Sequence, residues 1–163
     1  MSTIKILEHF FSIWSIIGLM HKTFFASGFL YHLPSEQILL QHDKSLSSLW
    51  SLFEEQGNKN ENPISVFQKA VYNKLHIKLH EKIIYPVYDY FKKDTGANYY
   101  IFYAQIALKN KENFSKNNSL TEWLTFKQVT KLPLSDQAKQ DIIVTQRVIK
   151  AKARDEEAKL IQK

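Results

Sequence analysis

The charged side chains that could do chemistry surround one predicted helix, residues 66–77. Three acids precede this helix and two lysines lie on it; they are Glu54, Glu55, Glu61, Lys69 and Lys74. Residues at positions i, i+3 and i+4 share one face of a helix. Carboxylates at that spacing can hold Mg²⁺ or Mn²⁺, whereas an ammonium group can hold a phosphate as a point charge. The charged residues around this helix are therefore candidates for holding a cation or an anion.

The segment from Leu49 to Pro63 and the helix after it resemble the loop-helix signature of the Nudix family. In that family the pattern reads Trp-Gly-Leu-Pro-Gly-Gly, an acidic turn and Gly-Glu, then Arg-Glu-x-x-Glu-Glu-x-Gly on the helix. Aligned without a gap, Trp50, Leu52 and Glu61 match the family's residues. The resemblance implies a metal-dependent enzyme that cleaves diphosphates linked to a nucleoside or another group.

The three helix carboxylates of that signature are replaced in this chain. Ala70, Asn73 and Lys74 stand in their places, and Lys69 stands in place of the arginine. Alanine has no ligand atom, asparagine offers one neutral oxygen, and lysine repels a cation. We therefore expect that the family's hydrolysis has been lost, we assign no catalytic residue, and whether the chain is an enzyme stays open.

The acids before the helix leave two alternatives open. Glu54 and Glu55 occupy the places of the family's Gly-Gly pair, where glycine permits unusual backbone angles and close approach of a ligand. They are either solvated residues of a differently shaped loop or, together with Glu61, a displaced site for Mg²⁺ or Mn²⁺. The second alternative predicts an active hydrolase of nucleoside diphosphate derivatives.

The lysines on the helix also have two interpretations. Lys74, with Lys69 nearby, can take over the charge of the missing metal and hold a diphosphate without cleaving it. We therefore predict a ligand site formed by Glu61, Lys69, Asn73 and Lys74, with a nucleotide or another phosphorylated molecule as the ligand and no cofactor. The alternative is that both lysines are solvated helix residues.

The resemblance to the Nudix family implies an α/β/α sandwich around a mixed sheet, and the strand-like runs of the chain suit a mixed sheet. A 163-residue chain with 44% hydrophobic residues is long enough for one domain with a core. We place that domain at residues 23–150, followed by a charged helix end at 151–163. The predicted strands are Thr23–Tyr31 and Gln37–Gln41 in a hairpin, Ile83–Phe91 with a bulge or edge position at Pro86, Asn98–Leu108, and Glu122–Phe126 before a long final helix capped by Ser135.

Residues 1–22 form an apolar segment with helical spacing. The apolar run is too short to span a membrane, which takes about 20 apolar residues. We predict a helix that packs on the domain or forms a homodimer, so a partner protein is a further alternative to a small ligand. Cleavage as a signal peptide is a weaker fit because Lys5 is the only basic residue ahead of the apolar run.

The overall composition restricts other functions. The chain contains no cysteine, which excludes disulfides and thiolate metal sites and fits a cytoplasmic protein. The net charge of +6 is spread without runs of like charge, so nucleic acid is not a favoured partner. His76 and His80 lie four residues apart but lack a third zinc ligand. Several tyrosines could stack on a base, namely Tyr72, Tyr85, Tyr88, Tyr99, Tyr100 and Tyr103.

Overall fold

The structure is a computed structural model that describes residues 23–42, 49–107 and 121–161. Within these residues, seven strands form one mixed sheet. The strands are β1 (Thr23–His32), β2 (Gln37–His42), β3 (Trp50–Ser51), β4 (Phe53–Asn58), β5 (Ile84–Lys92), β6 (Ala97–Ile106) and β7 (Thr121–Thr125). The helices are α1 (Pro63–Leu75), α2 (Phe126–Val129) and α3 (Asp136–Ile161), with short 3-10 turns at Leu33–Ser35 and Glu81–Ile83.

Strand β1 lies at the centre of the sheet and has different partners along its length. Its first half pairs antiparallel with β4, its end pairs antiparallel with β2, and its other edge pairs parallel with β6. Strands β5 and β6 form an antiparallel pair, and β7 and β3 both pair with β2. The change of partner on one edge opens the sheet between β2 and β4, at the position of Gly28.

Gly28 is required by close packing at this opening. A Cβ atom at position 28 would lie 2.1 Å from the carbonyl oxygen of Phe102 and 3.0 Å from the ring of Phe67. The first neighbour is backbone of β6, so a side chain here would force the two central strands apart. The glycine therefore fixes the distance between β1 and β6.

Helix α1 forms where local signals favour it. Asn62 is the N-cap, and its side chain accepts a hydrogen bond of 2.9 Å from the backbone N–H of Ile64. Pro63 follows in the first turn, where its missing N–H costs nothing. Its apolar stripe is buried against one face of the sheet and consists of Val66, Phe67, Ala70, Val71 and Leu75.

Helix α3 covers the opposite face of the sheet. The Ser135 hydroxyl accepts a hydrogen bond of 3.2 Å from the N–H of Ala138, which confirms the predicted cap. Ile142 and Ile149 pack with Phe29, Tyr31 and Tyr103 of the central strands. These residues belong to a second core, separate from the one under α1. Helices on both faces of a mixed sheet confirm the predicted α/β/α class.

The predicted order of elements is confirmed over the described residues, with one correction. The hairpin of β1 and β2, helix α1, the strands β5, β6 and β7 and the final helix all occur within a few residues of the predicted bounds. The loop predicted around Glu54 and Glu55 is wrong, because residues 53–58 pair with β1 and form strand β4. Long-range pairing stabilises an extended backbone here despite the acidic side chains.

Some expectations fall outside the described part of the chain. The apolar helix predicted for residues 1–22 and the polar loop predicted for residues 109–119 are among them. Among the described residues, no helix combines the length and apolar character that crossing a membrane requires.

Candidate functional site

The signature positions of α1 are divided between the core and the surface. Ala70, at the first carboxylate position, is 2% exposed and packs in the core against the sheet. Asn73 and Lys74 are exposed on the helix. The position of Ala70 therefore has no access to a ligand, and only the second and third positions remain at the surface.

Asn73 is held by a residue from the other half of the motif. Its Nδ2 atom donates a hydrogen bond of 2.8 Å to Oε2 of Glu55 on β4. This hydrogen bond connects the last turns of α1 with strand β4. The neutral amide of Asn73 therefore lies next to the carboxylate of Glu55.

Glu61 closes the connection between β4 and α1. Its Oε2 atom accepts a hydrogen bond of 2.7 Å from the N–H of Asn58, and its own N–H donates to the Asn58 carbonyl at 2.9 Å. Both contacts are within the turn that precedes the helix. In this structure the Glu61 carboxylate has a local role in shaping that turn.

The two lysines of α1 do not share one site. Lys69 lies in a shallow pocket with Tyr72 and Lys78, whereas Lys74 is in the last turn of the helix. Five residues of helix correspond to a rotation of roughly 140°. Lys69 and Lys74 therefore lie on different sides of the helix.

The three acids of the alternative metal site are also separated. Glu54 and Glu55 are neighbours on a strand, so their side chains point to opposite faces of the sheet. Across the described residues, no three His, Asp or Glu side chains come close enough together to hold a metal ion. The Nδ1 atom of His80 accepts a hydrogen bond from the N–H of Lys82, and His76 ends α1.

His76 supports the alignment with the family signature in a different way. It has a left-handed backbone with φ of 56°, and its N–H donates to the Tyr72 carbonyl at 2.8 Å. The family pattern has glycine at this position, which is the residue that adopts positive φ most easily. His76 therefore has a backbone conformation that glycine adopts more easily than other residues.

A polar cleft lies on the opposite face of the sheet, between the strands and the beginning of α3. Its volume is about 350 Å³. The sheet contributes Ser27, Gln41, Ser51, Leu52, Glu54, Tyr90, Lys92 and Tyr99, and the start of α3 contributes Ser135, Gln137, Ala138 and Asp141. Of the residues predicted as ligands or metal ligands, only Glu54 lines this cleft.

Asp141 forms the floor of the cleft. Its Oδ1 atom accepts hydrogen bonds from the Tyr88 hydroxyl and, at 2.8 Å, from Nε2 of Gln137. Burial raises the pKa of the Asp141 carboxyl, and hydrogen bonds from Tyr88 and Gln137 and the charge of Lys92 offset part of that rise. Burial and the adjacent Asp141 likewise raise the pKa of the Tyr88 hydroxyl. The hydroxyl therefore stays protonated and donates a hydrogen bond to the Asp141 carboxyl.

Glu54 stands across the cleft from Asp141. Glu54 lines the cleft as an exposed residue, so water screens the charge of its carboxyl group in part. Burial raises the pKa of Glu54, and the charge of Asp141 adds to the rise; a hydrogen bond with Ser27 and the charge of Lys92 act in the opposite direction. The cleft therefore contains two carboxyl groups that repel each other and one ammonium group.

Stacked aromatic rings form one side of the cleft. The rings of Tyr90 and Tyr99 are 5.3 Å apart and 9° from parallel, and Phe25 stacks behind Tyr99 at 4.8 Å. The Nζ atom of Lys92 lies 5.7 Å from the centre of the Tyr99 ring. Because each ring is held by the next, this side of the cleft is rigid.

A bulge in β5 places Tyr90 and Lys92 in the lining of the cleft. The pairing with β6 shifts between Pro86 and Tyr88, so Val87 is the additional residue. After the shift, Tyr88, Tyr90 and Lys92 lie on the face that Tyr85 occupies before it. The predicted irregularity at Pro86 is confirmed as a bulge, and it changes the face on which the following residues lie.

Sequence reasoning did not identify most of the cleft. Its residues come from β1, β2, β3, β4, β5, β6 and α3, and no two of its polar groups have a spacing typical of a motif. One signal was present: Asp141 is a carboxylate among the inward-facing positions of an amphipathic helix, where an acid needs partners.

Comparisons with known proteins agree on the fold. No protein-family model matches the sequence, and the search of curated proteins gives no match. Among solved structures, a mutT/nudix family protein from Listeria innocua matches with a TM-score of 0.66 and 12% identity, over 79% of this chain and 94% of that one.

Structures of Shewanella oneidensis NrtR are also similar. Its NUDIX domain complexed with ADP ribose matches with a TM-score of 0.59 and 12% identity, over 77% of this chain and 87% of that one. NrtR complexed with a 27mer DNA matches with a TM-score of 0.63 and 17% identity, over 82% of this chain and 64% of that one. The chain therefore has the fold of Nudix (MutT-like) proteins, as the resemblance implied.

Proposed function

We propose that the chain is a Nudix-fold binding domain for a nucleotide or another phosphorylated small molecule, and that it has lost metal-dependent diphosphate hydrolysis. The observation that carries this proposal is the formed polar cleft of about 350 Å³ in a chain whose α1 lacks the three carboxylates. The cleft is suited to hold a ligand, and the helix is not suited to activate water on it.

The loss of hydrolysis follows from the donor atoms at the signature positions. Mg²⁺ and Mn²⁺ need several oxygen ligands. For catalysis, the protein ligands must leave positions on the ion free for water and substrate. Ala70 is buried, Asn73 offers a neutral oxygen, and Lys74 brings a positive charge. The residues present at these positions therefore do not fit the metal that the family uses.

Ligand binding is supported by the cleft and by the fold. Small-molecule sites are concave, with a few polar groups that fix the orientation of the ligand. The NUDIX domain of NrtR has the same fold and was solved with ADP ribose. Because proteins with one fold bind different ligands, the ligand of this chain is identified by a binding assay.

A hydrolysis assay tests the first half of the proposal. Purified protein would be incubated with ADP ribose, NAD, nucleoside triphosphates and nucleotide sugars, each with Mg²⁺, with Mn²⁺ and with a chelator. We expect no metal-dependent product above the blank. Turnover that a chelator removes and Glu61→Gln abolishes would instead favour the alternative hydrolase with Glu54, Glu55 and Glu61 as displaced ligands.

A binding assay with the same compounds tests the second half and the role of Lys74. Calorimetric titration should detect a phosphorylated ligand. Lys74→Glu should weaken its binding roughly tenfold if the ligand lies against α1, and should leave its binding unchanged if the ligand lies in the cleft on the other face of the sheet. Lys150→Glu, an exposed residue of α3, makes the same change of charge elsewhere and is the control. Unchanged or tighter binding by Lys74→Glu would remove Lys74 from the site.

The protein-partner alternative depends on residues 1–22, which lie outside the described residues. Molecular mass measured by light scattering over a range of concentrations tests the predicted homodimer. A concentration-dependent mass together with no ligand in the binding assay would favour an interaction module.

A further inference from the structure

We propose that the outer side of helix α1 and the loop after it bind a single strand of nucleic acid. The site is a shallow pocket of about 280 Å³, called the α1 pocket below, which is lined by Gln68, Lys69, Tyr72, Lys78 and Leu79. It belongs to the α1 side of the sheet, whereas the cleft lies under α3, so this function goes beyond the proposed binding of a small molecule. Its basis is an exposed aromatic ring together with two lysines in one concavity.

Helix geometry brings Lys69 and Tyr72 to the same side of α1. They are three residues apart, which is nearly one helical turn. The buried stripe of the helix faces the sheet, and the Tyr72 side chain on the outer side is 43% exposed. The rings of Tyr72 and His76 contact each other edge-on with their centres 6.0 Å apart, which restricts the orientation of the tyrosine. The α1 pocket therefore presents an aromatic face to solvent.

The loop after α1 brings Lys78 to the same pocket. Exposure alternates along this loop, with Lys78 exposed between Ile77 and Leu79, which pack on the core under α1. The Nε2 atom of Gln68 donates a hydrogen bond of 2.8 Å to the Leu79 carbonyl, which connects the loop to the helix. Lys69 and Lys78 are nine residues apart in the chain, and the fold holds both at one concavity.

The charge of the α1 pocket suits a polyanion. None of the described residues that line it is acidic, and neither Lys69 nor Lys78 forms an ion pair with another residue of the described part of the chain. Residues 69–82 contain four lysines and one acid, Glu81. Lysine attracts a phosphate as a point charge, and several such contacts add up along a phosphate backbone.

The exposed ring of Tyr72 favours a single strand over other anions. An unpaired base can stack on an aromatic side chain, whereas the bases of a duplex are already stacked on one another. An acidic peptide would contact the lysines without using the ring. The α1 pocket lies at the last turns of the helix, where the partial charge is negative, so it lacks the N–H groups with which a helix N-terminus binds an isolated phosphate.

Fluorescence anisotropy of the full chain with labelled nucleic acids tests the proposal. The probes are a short uridine-only RNA, a thymidine-only DNA strand of the same length, a DNA duplex of that length and polyglutamate. We expect a single strand to bind more tightly than the duplex and polyglutamate, with an affinity that falls as salt is added. Binding of either strand upholds the proposal, and a preference for RNA would show that the 2′-hydroxyl contributes.

Variants separate the contribution of the ring from that of the charges. Tyr72→Ala should weaken binding of the single strand roughly fivefold or more, because a stacked base is lost, and Tyr72→Phe should retain the affinity. Tyr72→Ala should leave the slope of log K against log salt unchanged, whereas Lys78→Ala should reduce that slope by about 0.7, the value of one phosphate contact. Phe91→Ala and Lys127→Ala change exposed residues outside the α1 pocket and should have neither effect.

Amide shifts in nuclear magnetic resonance spectra of the wild-type chain give a readout that needs no variant. The single strand should shift amides of residues 69–82, and shifts at Glu54 and Gln137 instead would place it in the cleft and overturn the proposal. The proposal is also wrong if neither strand binds or if Tyr72→Ala keeps the wild-type affinity. Polyglutamate that binds as tightly as the single strands would contradict it in favour of an acidic protein partner.

Discussion

Asp141 is a charged side chain in a place where charge is costly. It is 4% exposed, and the Tyr88 hydroxyl and the Gln137 amide supply its hydrogen bonds. Neither partner carries a compensating positive charge, so burial dominates and raises the pKa of the carboxyl. The folded protein thus binds the Asp141 proton more tightly than the unfolded chain does.

Asp141→Asn is therefore expected to change how stability depends on pH. An aspartate in an unfolded chain has a pKa of about 3.9. Because the folded value is higher, the contribution of Asp141 to stability is complete below that pH and falls as the pH rises through the folded pKa. Asparagine keeps an oxygen for Tyr88 without the charge. The thermal midpoint of the variant should rise relative to that of the wild type between pH 4 and pH 7.

The control for this measurement is Asp89→Asn. Asp89 is exposed on β5 and does not line the cleft, so the variant removes one carboxylate without touching the buried group. The difference between the two variants at each pH isolates the buried site. If the thermal midpoint of the wild type instead rises relative to that of Asp141→Asn as the pH rises, the charged form of Asp141 is the stabilised one.

The residues at the signature positions show which parts of the site can be predicted from single residues. Ala70, Asn73 and Lys74 are assigned through the resemblance to the family signature, in which helix geometry places the three side chains on one face. The hydrogen bond between Asn73 and Glu55 depends on β4 being a strand, which the acidic composition of residues 54–61 does not suggest. Residue types thus predicted what is missing at the site and did not predict what replaces it.

At the scale of elements, the end of α1 has a measurable conformational cost. His76 holds φ of 56° with a side chain, and a non-glycine residue in this region is disfavoured by roughly 1–3 kcal/mol. The left-handed helix end that it forms suits glycine, the residue that the family signature has there. The position is exposed, so side-chain packing contributes little to its preference.

His76→Gly is expected to stabilise the fold. Relief of the backbone cost exceeds the additional entropy that glycine gives the unfolded chain, about 0.4–1 kcal/mol, so the net gain should be roughly 0.5–1 kcal/mol. Chemical denaturation would measure it. Lys78→Gly, at an exposed loop residue without positive φ, is the control and should lower stability. A loss of stability in His76→Gly would mean that its side chain contacts outweigh the backbone cost.

The elements that the sequence predicted well are those with local signals. The hairpin, the capped helices and the bulge depend on Pro34, Asn62, Pro86 and Ser135, each of which acts on its immediate neighbours. Strand β4 was missed because its partner, the first half of β1, lies about 30 residues earlier in the chain. The cleft was missed for the same reason, since seven elements and one bulge determine which residues line it.

At the scale of the whole molecule, the two faces of the sheet have different roles. The face under α1 retains a continuous apolar core, which explains how the fold survives without the signature carboxylates. The face under α3 combines a second core with the polar cleft at the start of the helix. Helix α3 is therefore needed for both stability and the candidate site, although only its first half is buried.

The predicted boundary between the domain and a charged helix end at residue 150 can be tested by shortening the chain. Asp141, Ile142, Thr145 and Ile149 are the buried residues of α3, whereas Leu160 is 75% exposed. Ending the chain after Arg154 removes little buried surface, so the thermal midpoint should stay within about 2 °C of the full chain.

Ending the chain after Val148 should instead lower the midpoint by at least about 5 °C. It removes Ile149, whose loss from the core is comparable to an Ile→Ala substitution of roughly 2–5 kcal/mol. It also removes Lys152, whose Nζ atom lies 3.4 Å from the centre of the Tyr85 ring. Ile149→Ala in the full chain should reproduce most of this loss, because the apolar contact dominates. If ending after Arg154 proves equally costly, the exposed turns of α3 support the fold in solution, and the domain extends past residue 150.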